Sequence, residues 1–199
     1  MSLDHPFIAE RIADAMQSLG GLAEDLPPIM MDAGLHMAEQ LINERKIMAL
    51  GFDSFAPLAQ LFCNTLMYNN AQQRPALPAL LLNDNTCSTT IAAGESADSW
   101  AIRPLKAFGQ AGDVLLILAE SANTHTVQTA VAAALGNNIS CVVIAADGIS
   151  QDNSSVNNND SNAIYLSLDS VNLTRMHELT LFILNCLNDI IDAQLFGSY

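Results

Sequence analysis

Gly112-Asp113-Val114-Leu115-Leu116-Ile117-Leu118-Ala119-Glu120-Ser121-Ala122-Asn123-Thr124 is the stretch that decides the fold. The run from Val114 to Ala119 has no polar face, so it reads as a strand covered on both sides. It leads into a polar turn and then a helical pattern. Val127, Ala130, Val131, Ala134 and Leu135 share one face of that helix, and Gly136 is its expected C′ stop. An open α/β sheet builds its ligand site in such a turn, at the carboxyl end of a strand. The turn has the shape of an anion cradle, but Glu120 brings a negative charge to it.

The same alternation extends in both directions. Ile8, Ile12, Ala15, Met16 and Leu19 give a helix over 6–19, and Gly20-Gly21 reads as its break. Pro27 and Pro28 fit the first turn of a second helix, where missing amide donors cost least. Strands are expected at 46–50, 78–82, 113–118, 140–145 and 164–168. Helices are expected at 55–69, 86–93 and 97–108, with Pro104 near a kink or boundary. Gln151 to Asn162 is an Asn/Ser/Asp loop with little to bury. A last helix runs from about Ser170 to Leu195. Its middle, Leu179 to Ile191, is apolar on nearly every face, a pattern that predicts burial all round. The expected fold is α/β: a five-stranded parallel sheet sandwiched by helices in a flavodoxin-like three-layer arrangement, with an N-terminal helical pair. We expect one domain over 1–199. Residues 1–45 serve oligomerisation, and 46–199 form the core and the long terminal helix.

Composition narrows the function classes. The net charge is −14, with seven Lys and Arg in 199 residues, and only Arg45 and Lys46 adjoin. That leaves no basic stripe to neutralise phosphates, so direct nucleic-acid binding is not expected. Half the residues are hydrophobic and 14% are charged, which suits an oligomer with apolar interfaces. Cys63, Cys87, Cys141 and Cys186 form no CxxC pair and read as free thiols of a reducing, cytoplasmic compartment. Met1 to Arg11 has no basic region before an apolar core, so it does not read as a signal peptide. No membrane span is expected, since the longest apolar run is too short. No Walker loop, GxGxxG or GxSxG is present, and no cofactor or metal is expected. Trp100 and Tyr165 read as core aromatics. His125 reads as a helix N-terminal residue, and His5 and His36 lack companions at ligand spacing.

Three further stretches carry a family resemblance: Arg74-Pro75-Ala76-Leu77-Pro78-Ala79, Gly109-Gln110-Ala111-Gly112-Asp113-Val114-Leu115-Leu116, and Asn185-Cys186-Leu187-Asn188-Asp189-Ile190-Ile191-Asp192-Ala193-Gln194-Leu195-Phe196. With the order of elements, they resemble sugar isomerase (SIS) domains, in particular phosphoheptose isomerases and DnaA initiator-associating proteins. The resemblance covers nearly the whole chain. It implies a phosphate turn of the form GNGGSA where this chain has Gly51-Phe52-Asp53-Ser54-Phe55-Ala56. It implies a second turn, STSGNS, at Ala119 to Thr124. Gly51, Ser54, Ser121, Asn123 and Thr124 are what remains of a phosphosugar site. The implied catalytic glutamate, in HFAEEL, falls at Thr65. The implied histidine, in RIQEMH, falls at Thr180, while His177 stands where that motif has glutamine. No catalytic residue is therefore assigned.

Two functions follow. One is a non-catalytic assembly protein, a homotetramer binding a bacterial replication initiator, with Leu195 and Phe196 as its partner anchor. Those two residues could equally cap the tetramer core. The other is a sugar-phosphate sensor or isomerase-like enzyme with relocated groups, for which Asp53, Glu120, His177 and Glu178 are available.

Overall fold

The computed structural model describes residues 6–68, 74–83, 99–147, 162–168 and 172–197. The expected helix at 86–93, the loop at 151–161, His5 and Cys87 lie outside them. The elements are α1 (Pro6–Asp25), α2 (Pro27–Ile42), β1 (Ile47–Gly51), α3 (Ala56–Tyr68), β2 (Ala79–Leu81), α4 (Ser99–Phe108), β3 (Val114–Leu118), α5 (His125–Leu135), β4 (Ser140–Ala145), β5 (Ala163–Ser167) and α6 (Leu173–Phe196). A 3-10 turn, Asp53–Phe55, joins β1 to α3.

The strands form one parallel sheet in the order β2-β1-β3-β4-β5. Every residue of β1, β3 and β4 is buried, as strands covered on both faces must be. Side chains alternate between two cores. Ile47, Ala49, Val114, Leu116 and Leu118 face the layer of α2, α3 and α6. Met48, Leu50, Leu115 and Ile117 face α4 and α5. At the amino edge, Asp113 ties the sheet together. Its carboxylate meets Lys46 Nζ at 2.5 Å and accepts the Lys46 and Gln110 amides at 3.1 and 2.7 Å. Nearby, His36 Nε2 lies 2.7 Å from Ser140 Oγ.

Several boundaries differ from the expectation. Gly20-Gly21 does not break α1, which continues to Asp25. The break comes at the prolines, because Pro27 and Pro28 have no amide to donate to the turn before them. Gly136 is not a left-handed stop: its φ is −63°, and the left-handed residue is Asn138, with φ 57°. Pro104 lies inside α4. α6 is not buried all round. Phe182, Asn185 and Asp189 are exposed, and the buried face includes the polar Arg175, Thr180, Asn188 and Asp192. α6 is the described helix long and apolar enough to cross a membrane by length and composition. Here it packs on α2 and α3 as a core helix. α1 is exposed along most of its length, and Ile8, Ile12 and Met16 form an open stripe in which Met16 is 69% exposed.

Candidate functional site

The strand order reverses between β1 and β3. That switch point is where an open α/β sheet leaves a crevice at its carboxyl edge. Gly51 is level with Leu118, and Leu118 with Ile144, so the turns after β1, β3 and β4 emerge side by side.

The first turn is closed. A Cβ on Gly51 would lie 2.5 Å from the Phe55 carbonyl oxygen and 2.6 Å from Ala56 Cα, so only glycine lets the turn fold back onto the strand. The Gly51 peptide groups are also occupied. Asn83 donates Nδ2 to the Gly51 carbonyl at 2.6 Å and accepts the Gly51 amide at 2.8 Å. Asp53 is exposed in the left-handed region, with φ 49°. Phe55 is buried and packs against the His177 ring, with centroids 4.6 Å apart. His177 Nε2 in turn lies 2.8 Å from Ser54 Oγ. The fold thus joins Ser54 and His177, residues from two separate candidate groups.

The second turn is filled by a residue that sequence reasoning missed. Asp147, just past β4, accepts the Ser121 hydroxyl at 2.8 Å, the Ala122 amide at 2.8 Å and Asn123 Nδ2 at 2.7 Å. Burial pushes the Asp147 carboxyl up. Its hydrogen bonds to Asn123, Ser121, Ala122 and its own amide outweigh that effect and hold it below the usual value. Glu120 is exposed, so the negative charge that the turn's donors meet belongs to Asp147. Thr124 serves α5 as N-cap and accepts the Val127 amide at 3.4 Å. The signal for Asp147 was its position at the carboxyl end of a strand beside the switch point.

The remaining candidates lie on α3 and α6. Thr65 Oγ1 donates back to the Leu61 carbonyl at 3.0 Å. Thr180 is fully buried, and among the described residues its hydroxyl has no hydrogen-bond partner. Glu178 pairs with the buried Arg175, whose Nη2 reaches Asp14 on α1 at 2.8 Å. Leu195 is half-buried against the core, whereas Phe196 is 41% exposed. The Arg74 guanidinium lies 5.9 Å from the Phe196 ring centroid. Cys63 and Cys141 are free, with thiols pushed up to about 12 by burial. Among the described residues, no group of three or more His, Cys, Asp and Glu could hold a metal ion.

No family model matches the chain. Individual relatives do. A phosphoheptose isomerase of Chromohalobacter salexigens is 35% identical over 178 residues, 88% of either chain. The DnaA initiator-associating protein DiaA of Photorhabdus laumondii is 30% identical over 184 residues, 92% of either chain. The chain belongs to the phosphoheptose isomerase–DiaA family of SIS proteins. Its fold is that of the family. The phosphoheptose isomerase of Francisella tularensis superposes with a TM-score of 0.84 at 24% identity, over 96% of this chain and 99% of that one. The enzyme of Neisseria gonorrhoeae gives 0.80 at 24% identity, over 94% and 98%. Within this SIS fold, the first of the two turns that the resemblance assigns to phosphate directs the Gly51 amide to Asn83, and the second directs the Ser121 hydroxyl, the Ala122 amide and Asn123 Nδ2 to Asp147.

Proposed function

We propose that this chain is a non-catalytic SIS assembly protein that binds a replication initiator as a homotetramer. The observation that carries the reading is the state of the two positions where the resemblance implies an acid and a base. Thr65 is bonded back into its own helix, and Thr180 is sealed in the core. Neither can take a proton from a sugar carbon near neutral pH. The partner is suggested by the DiaA relatives, whose name makes them associates of DnaA. Assembly is supported by the open apolar stripe on α1 and by the exposed Phe182 and Met31, which line a hollow with Leu19 and Leu22 of the same helix. Apolar faces of this kind cover one another in symmetric oligomers, and an oligomer displays several copies of one partner surface.

Phe196 is the anchor of that surface. It is exposed at the end of α6, whereas Leu195 also packs on the core. Burying a phenylalanine against a partner is worth roughly 1.5–3 kcal/mol. Phe196→Ala should therefore weaken binding to purified initiator about tenfold or more and change the melting temperature little. Leu195→Ala should lower stability. Equal initiator affinity for wild type and Phe196→Ala would move the binding surface elsewhere. No affinity of the wild-type chain for the initiator would reject the partner.

A further inference from the structure

The exposed ring at the end of α6 rests on a buried charge. Asp192 and Phe196 are four residues apart, so their side chains share one face of the helix. Asp192 is buried, and Arg74 Nε stands 2.6 Å from its Oδ1. The Arg74 guanidinium lies over the Phe196 ring, 5.9 Å from its centroid. A cation in that place is attracted by the ring quadrupole. The guanidinium is also held from the other side. Its Nη1 donates to the Leu66 and Pro75 carbonyls at 2.8 and 3.1 Å, and its Nη2 to the Thr65 carbonyl at 3.2 Å, so the end of α3 fixes its plane. The last turn of α6 is fixed as well. Leu195 packs on the core, and the Gly197 amide closes on the Ala193 carbonyl at 3.0 Å. Phe196 nonetheless keeps 41% of its surface open. One face of the ring is thus seated on a fixed cation, while much of the side chain remains available to a partner.

We propose that Arg74 is a positioning residue for the Phe196 anchor: it holds the ring in one orientation before the partner arrives. A phenylalanine at an unsupported helix end samples several rotamers, and a partner that selects one of them loses affinity to that ordering. Arg74 makes the selection in the free protein. With only 3% of its side chain exposed, it is too buried to meet the partner itself, so it acts through the ring. This role rests on the reading of Phe196 as the anchor for a replication initiator. The orientation of the ring can be measured without that partner, so the two ideas fail separately.

The test uses the paired change Arg74→Met with Asp192→Leu, which removes both charges together and roughly keeps their volume. The first readout is the order of the Phe196 ring, from nuclear spin relaxation of an isotope label placed at that ring. Order should be high in the wild type and fall in the paired variant toward that of a freely turning side chain. The second readout is affinity for purified initiator, in a double-mutant cycle with Phe196→Ala. The paired change should weaken binding about twofold to fivefold when Phe196 is present, and have no further effect on Phe196→Ala. Arg74→Lys keeps a charge beside Asp192 and loses the planar fork. It should move both readouts in the same direction by less, and it decides the matter if the paired variant does not fold. A purely structural Arg74 would lower the melting temperature and leave the ring of a folded variant as ordered as in the wild type. That result would overturn the proposal, as would an equal loss of affinity with and without Phe196. If the wild type does not bind the initiator, the partner reading fails and the ring order still decides whether Arg74 holds Phe196.

Discussion

Replacing Arg74 by alanine should be among the most damaging single changes to this fold. Arg74 lies between the end of α3 and the end of α6. Its Nη1 donates to the Leu66 and Pro75 carbonyls at 2.8 and 3.1 Å, and Nη2 to the Thr65 carbonyl at 3.2 Å. Nε stands 2.6 Å from Asp192 Oδ1, and both side chains are only 3% exposed. Removing the guanidinium takes away the positive charge that Arg74 holds beside the buried Asp192 carboxylate. Breaking such a pair from one side costs about 3–5 kcal/mol, far more than the 0–1 kcal/mol of a surface pair. For a chain of this size that is a fall of roughly 6–20 °C in melting temperature. The penalty comes mainly from the buried carboxylate that loses Arg74, so Arg74→Met with Asp192→Leu should recover most of the loss. Denaturant melts followed by circular dichroism measure it, at fixed protein concentration because assembly makes the midpoint concentration-dependent. A loss below about 1 kcal/mol for Arg74→Ala would refute the reasoning, because the pair would then behave as if solvated. So would a double variant no better than the single one.

Other outcomes follow from the same structure. Light scattering should find a tetramer, and Ile12→Glu with Met16→Glu should dissociate it; a wild-type monomer at micromolar concentration would contradict the α1 stripe as an interface. Burial holds His36 below its ordinary 6.5 and outweighs the opposing charge of Glu39. The unfolded chain therefore takes up that proton first, and stability is full above 6.5 and falls as pH drops toward the lowered folded value. Urea melts between about pH 7.5 and 5 should show this slope, and His36→Gln should flatten it. Asp147, held below 3.8, adds stability that is present above 3.8 and lost as pH falls through its lowered value. Purified protein should not isomerise sedoheptulose 7-phosphate, with or without zinc; turnover like that of a phosphoheptose isomerase would reject the non-catalytic reading.

The sequence by itself determined the sheet. Buried parallel strands are apolar along nearly their whole length, so 114–118 and 141–145 announce themselves without partners. The five strands, the described helices between them and the positions of both turns follow from that local pattern. Helix ends followed less well. A glycine pair weakens a helix without stopping it, and only the prolines after Asp25 remove the amides it needs. The burial of α6 was legible as a run of apolar residues. Which face carries polar residues inward depends on what α2 and α3 place opposite, which no local period contains. The site was legible as a location and not as a contact set. Ser54 and His177 are separated by most of the chain, and Asn83 and Asp147 belong to the ends of other strands. Their hydrogen bonds exist because neighbouring parallel strands end at the same level. That is a property of strand order and register, which only the tertiary structure sets.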